Sequence, residues 1–182
     1  MRLTIILKAF LPAVLIILVI CSCTANENKH ALIIAIGNYD SKKTEWAPIS
    51  SLNDIPIIKN ALLKQGFSED NITVIKDEEA TKNGIVKNLM ALKKRVKEGD
   101  IVFVHYSGHG QQIQDDNGDE VDGYDEALIP INAHNRFKEG IYEGEYHIRD
   151  EELGKLLNQI RAKIKKTGNL LVILDACHSG TG

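Results

Sequence analysis

The sequence predicts an α/β domain with a mostly parallel sheet and helices on both faces. Two features carry that prediction. Four short apolar runs read as strands, at residues 30–36, 71–75, 100–106 and 170–174. Three stretches of helical periodicity separate them, in the order strand, helix, strand, helix, strand, long loop, helix, strand. That alternation builds parallel neighbours joined by crossover helices. The last run, Leu170 to Leu174, is unbroken by polar residues, which suits a strand buried on both faces.

The chain opens on an address. Arg2 and Lys8 give a basic start, and an apolar stretch of 13 residues runs from Ala9 to Cys21. That is short for a membrane span and right for the core of an export signal. It closes in Ile20-Cys21-Ser22-Cys23, which resembles a bacterial lipobox with Cys23 as the lipidated residue. The expected organisation is a signal peptide over 1–22, a polar tether over 23–30 and one folded domain over 31–182. The expected location is the bacterial cell envelope, exported and held to the membrane by an N-terminal lipid.

His30 to Ile36 forms the first strand, stopped by Gly37-Asn38. A helix starts near Asn53 or Asp54 with Pro56 in its first turn, carries Ile55, Ile58 and Leu62 on one face, and ends at Gly66. Asn71 to Ile75 is the second strand. Thr81 is placed to cap a helix whose stripe is Ile85, Leu89, Leu92 and Val96, closed by Gly99. Asp100 to Tyr106 is the third strand.

The rhythm then breaks. Residues 111–148 hold a dense acidic run and no helical stripe, with 127–131 and 140–147 as the two arms of a small hairpin. Helical patterning resumes at Asp150, read as an N-cap, with Glu151 and Glu152 suiting the positive end of the helix dipole. Its stripe is Leu153, Leu156, Leu157, Ile160 and Ile164, and Gly168 stops it before the fourth strand.

Formal charge is an unremarkable −3, so nothing in it suggests a nucleic-acid partner. Cys21 and Cys23 belong to the export signal, so Cys177 is the one thiol of the remaining domain. It follows the fourth strand directly, in Asp175-Ala176-Cys177-His178-Ser179-Gly180. The third strand empties in the same way into Ser107-Gly108-His109-Gly110. Parallel strands deliver such residues to the carboxyl edge of the sheet, where open α/β folds place their chemistry. A thiol and an imidazole at two strand ends are the parts of a cysteine nucleophile and its base. His105, His109, Cys177 and His178 could imitate a zinc site, but no CxxC pair accompanies them. His105 and His178 read as structural.

The chain resembles the caspase-like cysteine peptidases, and within them the metacaspase branch. The likeness rests on Tyr106-Ser107-Gly108-His109-Gly110-Gln111 and on Asp175 to Gly180. Residues 77–81, 119–126 and 148–153 support it. Asp-Ala-Cys-His-Ser-Gly is the metacaspase form of the nucleophile motif. The resemblance implies a sheet in flavodoxin-like order and a catalytic pair of His109 and Cys177. It further implies an oxyanion hole from the amides of Gly110 and Cys177, and a primary pocket lined by Asp54, Ser107 and Asp175. Carboxylates there select Arg or Lys before the scissile bond through charge-assisted pairing. A helix cap is the competing role for Asp54. Ser51 departs from the family, which often has Cys there.

The stretch from Asp115 to Glu126 superficially spells an EF-hand loop, but Glu120 stands where the turn needs Gly and no helices flank it. The resemblance instead implies a calcium site from Asp125, Asp150 and Glu151, with calcium as an activator and no cofactor needed for the chemistry. A solvated loop with ordinary helix capping is the other reading. Caspase-like folds continue with two more strands and a helix, so the domain is expected to be incomplete at Gly182. A missing segment or a C-terminal subunit is the implied partner, and polypeptides with a basic residue before the cut are the implied substrates. The alternative function is a catalytically silent caspase-like lipoprotein that serves as a binding or scaffold module.

Overall fold

The computed structural model describes residues 28–115, 117–118 and 120–177. Four strands make its main sheet: β1 (Lys29–Ala35), β2 (Ile72–Lys76), β3 (Ile101–Ser107) and β7 (Asn169–Asp175), in spatial order β2-β1-β3-β7. Every pairing is parallel. This is the flavodoxin-like order expected. β1 is central because its apolar side chains are wanted on both faces, and six of its seven residues are buried.

The two faces divide by sequence parity, as the two-residue strand period requires. Ala31 and Ile33 of β1, with Phe103 of β3, meet Leu62, Ile55 and Ile58 of helix α1 (Asp54–Lys64). Leu32, Ile34, Val102 and Val104 face the other way. They pack on α2 (Lys82–Arg95) through Ile85, Leu89 and Leu92, and on α3 (Asp150–Ile164) through Leu153, Ile160 and Ile164. Each such side chain contributes about 1.5–3 kcal/mol by leaving water. Thr81 caps α2 as read from sequence, its Oγ1 accepting the Gly84 N–H at 3.0 Å.

Three expectations are corrected. β7 is not buried on both faces but alternates between exposed and half-buried residues. Leu170, Val172 and Leu174 pack on the α3 side, while Leu171 and Ile173 remain 56% and 39% exposed. β7 is an edge strand among the described residues, and α1 lies over β1 and β3 instead. Secondly, the long loop holds a three-stranded antiparallel sheet, β4 (Gly110–Gln114), β5 (Tyr124–Leu128) and β6 (Ile148–Arg149), in place of the expected hairpin. Residues 140–147 contribute only the bridge Lys138–Tyr142. Thirdly, Arg149 occupies the N-cap position of α3, and Asp150 is its first helical residue.

The turn after β1 is fixed from a distance. Asp77 is buried, and its carboxylate accepts the N–H of Gly37 and of Asn38, both at 2.9 Å, and the Asn38 side-chain amide at 2.8 Å. Asp77 holds a φ of +41°, an uncommon conformation sustained by these three bonds. The motif at 77–81 thus sets where Tyr39 enters the core.

Candidate active site

β3 and β7 are adjacent and in register, with Ser107 opposite Asp175. Both chains leave the sheet at the same level, so Gly108–His109 and Ala176–Cys177 emerge side by side. The Gly108 N–H donates to the Asp175 carbonyl at 3.2 Å, tying the two exits together. Two glycines make the approach possible. A Cβ on Gly110 would stand 2.1 Å from the Cys177 carbonyl oxygen, and one on Gly108 would stand 2.6 Å from the Tyr106 hydroxyl. A side chain at Gly110 would push the two strand ends apart, and one at Gly108 would displace the tyrosine hydroxyls that hold His109.

His109 is held on every side. Its backbone N–H donates to the Tyr39 hydroxyl at 3.1 Å, and its carbonyl lies 2.8 Å from the Tyr106 hydroxyl. Both phenols also reach the Ile129 carbonyl, at 2.8 and 3.0 Å. Burial pushes the Tyr39 hydroxyl up to about 12 and raises that of Tyr106 well above the usual phenol value, so both stay neutral. The imidazole stacks on Trp46 at 4.6 Å between ring centres and is tilted against Tyr39 at 4.8 Å. Its Nε2 lies 2.8 Å from the Ala47 carbonyl oxygen. A carbonyl only accepts, so Nε2 carries the proton and Nδ1 keeps its lone pair. Cys177 is a free, exposed thiol.

The three residues expected to line a primary pocket share one corner. Ser107 donates from Oγ to Asp54 Oδ2 at 2.6 Å, across the gap between β3 and the start of α1. Asp175 sits opposite Ser107 and projects to the same face. Asp54 is not the cap of α1: the N-cap position is Asn53, and the Asp54 carboxylate is turned toward Ser107. His105 lies buried on that face, one strand repeat below Ser107 and stacked on Phe103. Burial lowers its pKa, against the opposing pull of Asp54 and Asp175. His105 is therefore a neutral buried residue beneath the corner, and His178 lies outside the described residues.

The acidic loop separates into two parts. Asp115 is a loop anchor, its carboxylate accepting the N–H of Asn117, Gly118 and Glu120 at 2.8, 2.7 and 3.1 Å. The N–H bonds, led by that of Gly118, hold its pKa below the usual carboxylate range. Asp125, Asp150 and Glu151 form the other part, each offering an oxygen within 4.8 Å of the rest. Asp125 is wholly buried, with Oδ2 on Arg149 and Oδ1 without a hydrogen-bond partner among the described residues. Asp150 Oδ1 is likewise buried and unpartnered. Burial, then the Glu151 charge, raises the Asp150 pKa. Crowded oxygens short of donors fit a hard divalent cation.

Cys23 lies outside the described residues, and no helix among the described residues is long and apolar enough to cross a membrane. Sequence reasoning missed the Ala47 carbonyl, because a backbone atom has no signature in the residue type that carries it. Trp46 did leave a signal, as the single Trp of the chain within a polar loop.

A parallel sheet that brings an imidazole and a thiol to one carboxyl edge, beside a small antiparallel sheet, defines a caspase-like α/β domain. The model of the metacaspase, peptidase C14 domain matches residues 29–182, and the chain belongs to that family. It is 33% identical over 166 residues to metacaspase-1 of Eremothecium gossypii, covering 87% of this chain and 33% of that protein. Metacaspase-2 of Arabidopsis thaliana is 35% identical over 160 residues, covering 84% of this chain and 35% of that one. The chain thus spans about a third of the length of these relatives. Among solved structures, a Geobacter sulfurreducens protein superposes with a TM-score of 0.62 at 27% identity, covering 85% of this chain and 52% of that one.

Proposed function

We propose that this chain carries the catalytic unit of a cysteine endopeptidase that cuts after Arg or Lys. The observation that carries this reading is the pairing of the two strand ends, His109 beside Cys177, with Nε2 on the Ala47 carbonyl so that Nδ1 of the neutral ring is the proton acceptor. Nδ1 takes the Sγ proton, and the thiolate attacks the peptide carbonyl carbon. The resulting oxyanion is received by the amides of Gly110 and Cys177, an interaction worth about 3–4 kcal/mol in other enzymes. Collapse breaks the C–N bond, the leaving amine takes the proton from His109, and a thioester remains on Cys177. Water, deprotonated by His109, then releases the acid and restores the thiol. Asp54, Ser107 and Asp175 receive the basic side chain, with Asp54 already held by Ser107.

An electrophilic peptide carrying Arg should alkylate Cys177 of the wild type and lose most of its rate in His109→Ala. Equal rates in both proteins favour the silent binding module instead.

Three further features belong to this reading. Asp125, Asp150 and Glu151 hold calcium as an activator, supported by their convergence and unpartnered oxygens; the ion would neutralise the acidic cluster beside β5 and α3. A further polypeptide segment pairs along the outer edge of β7, supported by the exposure of Leu171 and Ile173. Cys23 carries the lipid that holds the protein to the cell envelope, supported by Ile20-Cys21-Ser22 before it. Intact-mass measurement of membrane-extracted protein tests the last: an N-terminus other than lipidated Cys23 counts against it.

A further inference from the structure

Among the described residues the small antiparallel sheet has an unpaired edge that starts directly after His109: β4 pairs with β5 on one side only. The bonds Ile129 N–H to His109 O and Asp115 N–H to Gly123 O fix the phase of that pairing. Odd-numbered residues of β4 bond inward, so the N–H and C=O of Gly110 and Gln112 point to the outer edge. Gly110 itself abuts the Cys177 carbonyl. From Gly110 to Gln114 the edge runs about 13 Å at the usual strand rise.

That edge opens on a cavity of about 520 Å³. Gln111 to Gln114 line it along the length of β4, together with Tyr124 of β5 and Arg149 of β6. Its volume lies within the usual range for ligand sites. Facing β4 are Phe137, Tyr124 and Tyr142, the first two 67% and 51% exposed. His147 also lines it, bonded to the Tyr142 hydroxyl at 2.7 Å through Nδ1, with Nε2 buried and unpartnered among the described residues. Gln111 Oε1 is buried and unpartnered too. Asp115 and Glu143 put carboxylates on the rim, while the Arg149 guanidinium is committed to Asp125 and the Gln114 carbonyl.

We propose that the outer edge of β4 and this cavity bind the substrate segment that follows the scissile bond, as an added strand with an aromatic side chain, Tyr by preference, in the cavity. The inference rests on the peptidase reading. His109 gives its proton to the leaving amine, so the polypeptide after the cut departs on the His109 side, and β4 begins at the next residue. Asp54, Ser107 and Asp175 lie on the opposite side of β3's exit, with the residue before the cut. An extended peptide completes the edge through main-chain bonds to Gln112. A phenol stacks among Phe137, Tyr124 and Tyr142, and its hydroxyl both donates and accepts, which suits a lining that carries the amides of Gln111 and Asn135 and the carboxylates of Asp115 and Glu143. The rim carboxylates disfavour Asp and Glu at the same positions.

The test uses the full chain with two measurements. In the first, peptides share an Arg and differ only in the three residues after it. Tyr within those three should raise kcat/KM at least about tenfold over Ala, and Asp should lower it. Phe137→Ala should lose the Tyr preference while cleaving an Arg-coumarin amide, which has nothing to place in the cavity, at the wild-type rate. The second measurement is binding of a fluorescent peptide made only of the segment after the cut, which Phe137→Ala should weaken at least about tenfold. Cleavage of the coumarin amide without any preference beyond the cut overturns this proposal and spares the peptidase reading. No cleavage at all, with peptide binding still dependent on Phe137, removes the peptidase and keeps the groove. Binding indifferent to Phe137 overturns the groove.

Discussion

His109 Nε2 meets the carbonyl oxygen of Ala47 at 2.8 Å, so a main-chain atom of the loop before α1 sets the tautomer of the candidate base. Trp46, the preceding residue, lies flat against the same imidazole. The pair acts on orientation and tautomer, which is the role a carboxylate takes in other nucleophile-base systems. Trp46→Ala should therefore slow alkylation of Cys177 by an Arg-bearing electrophile about tenfold, a fraction of the full acid-base contribution. Trp46→Phe, which preserves a flat ring, should recover most of the rate. Thermal melting of both variants checks that the loop remains folded. Unchanged alkylation in a folded Trp46→Ala protein means that Ala47 alone orients the ring.

Asp54 supplies a second expectation, with a sign. Its carboxylate accepts the Ser107 hydroxyl and is not engaged in capping α1. If it receives the basic side chain, Asp54→Ala leaves that cation without its partner, at about 2–5 kcal/mol. Efficiency on Arg peptides should fall by roughly 30-fold or more, while alkylation by a small neutral reagent stays near wild type. Asp54→Asn keeps the Ser107 bond and should lose the same preference. Retention of Arg over Asp selectivity in Asp54→Asn assigns the carboxylate a purely structural part.

The acid limb of the stability profile follows from His147. Burial brings its pKa down to about 4, against an ordinary value of 6.5. The unfolded chain thus binds a proton between those values that the folded chain does not, so stability falls as pH drops from about 6.5 toward 4. The effect is on the order of 3 kcal/mol for a shift of this size. His30 and His105 are displaced in the same direction by burial, so they add slope of the same sign. Denaturant midpoints measured from pH 7 to 4.5 should fall, and His147→Gln should flatten that fall in part. A His147→Gln protein as acid-sensitive as the wild type assigns the slope to other groups.

Much of this domain could be read from the chain because its central strands and helices obey simple periods. Ile85, Leu89 and Leu92 mark α2, and Leu153, Ile160 and Ile164 mark α3, at the spacing of one helix face. The site motifs were legible because parallel strands must empty at one edge. The small sheet was not. β4 reads GQQIQ, with one β-branched residue, and β6 is only two residues long, so neither carries the alternation that marks a strand. β7 misled in the other direction. Its unbroken apolar run implies two covered faces, yet among the described residues Leu171 and Ile173 have no helix above them. Burial depends on what packs against a strand, which the strand's own sequence does not state.

The cluster of Asp125, Asp150 and Glu151 separates a cation site from ordinary helix-end charge by a reversal of sign. An acid at the first turn of α3 gains roughly 0.3–1 kcal/mol from the helix dipole. Burial and the Glu151 charge oppose this at Asp150 and raise its pKa, so ionising it costs the folded state. Asp150→Asn in chelator should therefore leave the protein as stable as the wild type or more so. If the three carboxylates bind calcium, millimolar calcium should raise the wild-type melting temperature by several degrees. Asp150→Asn and Glu151→Gln should each remove most of that rise. Magnesium should act less, since it requires a tighter octahedral shell than flexible carboxylates on two elements provide. The two conditions then cross: Asp150→Asn is the more stable protein in chelator, and the wild type is the more stable in calcium. Parallel melting curves, with Asp150→Asn lower in both, assign these residues to helix-end electrostatics alone.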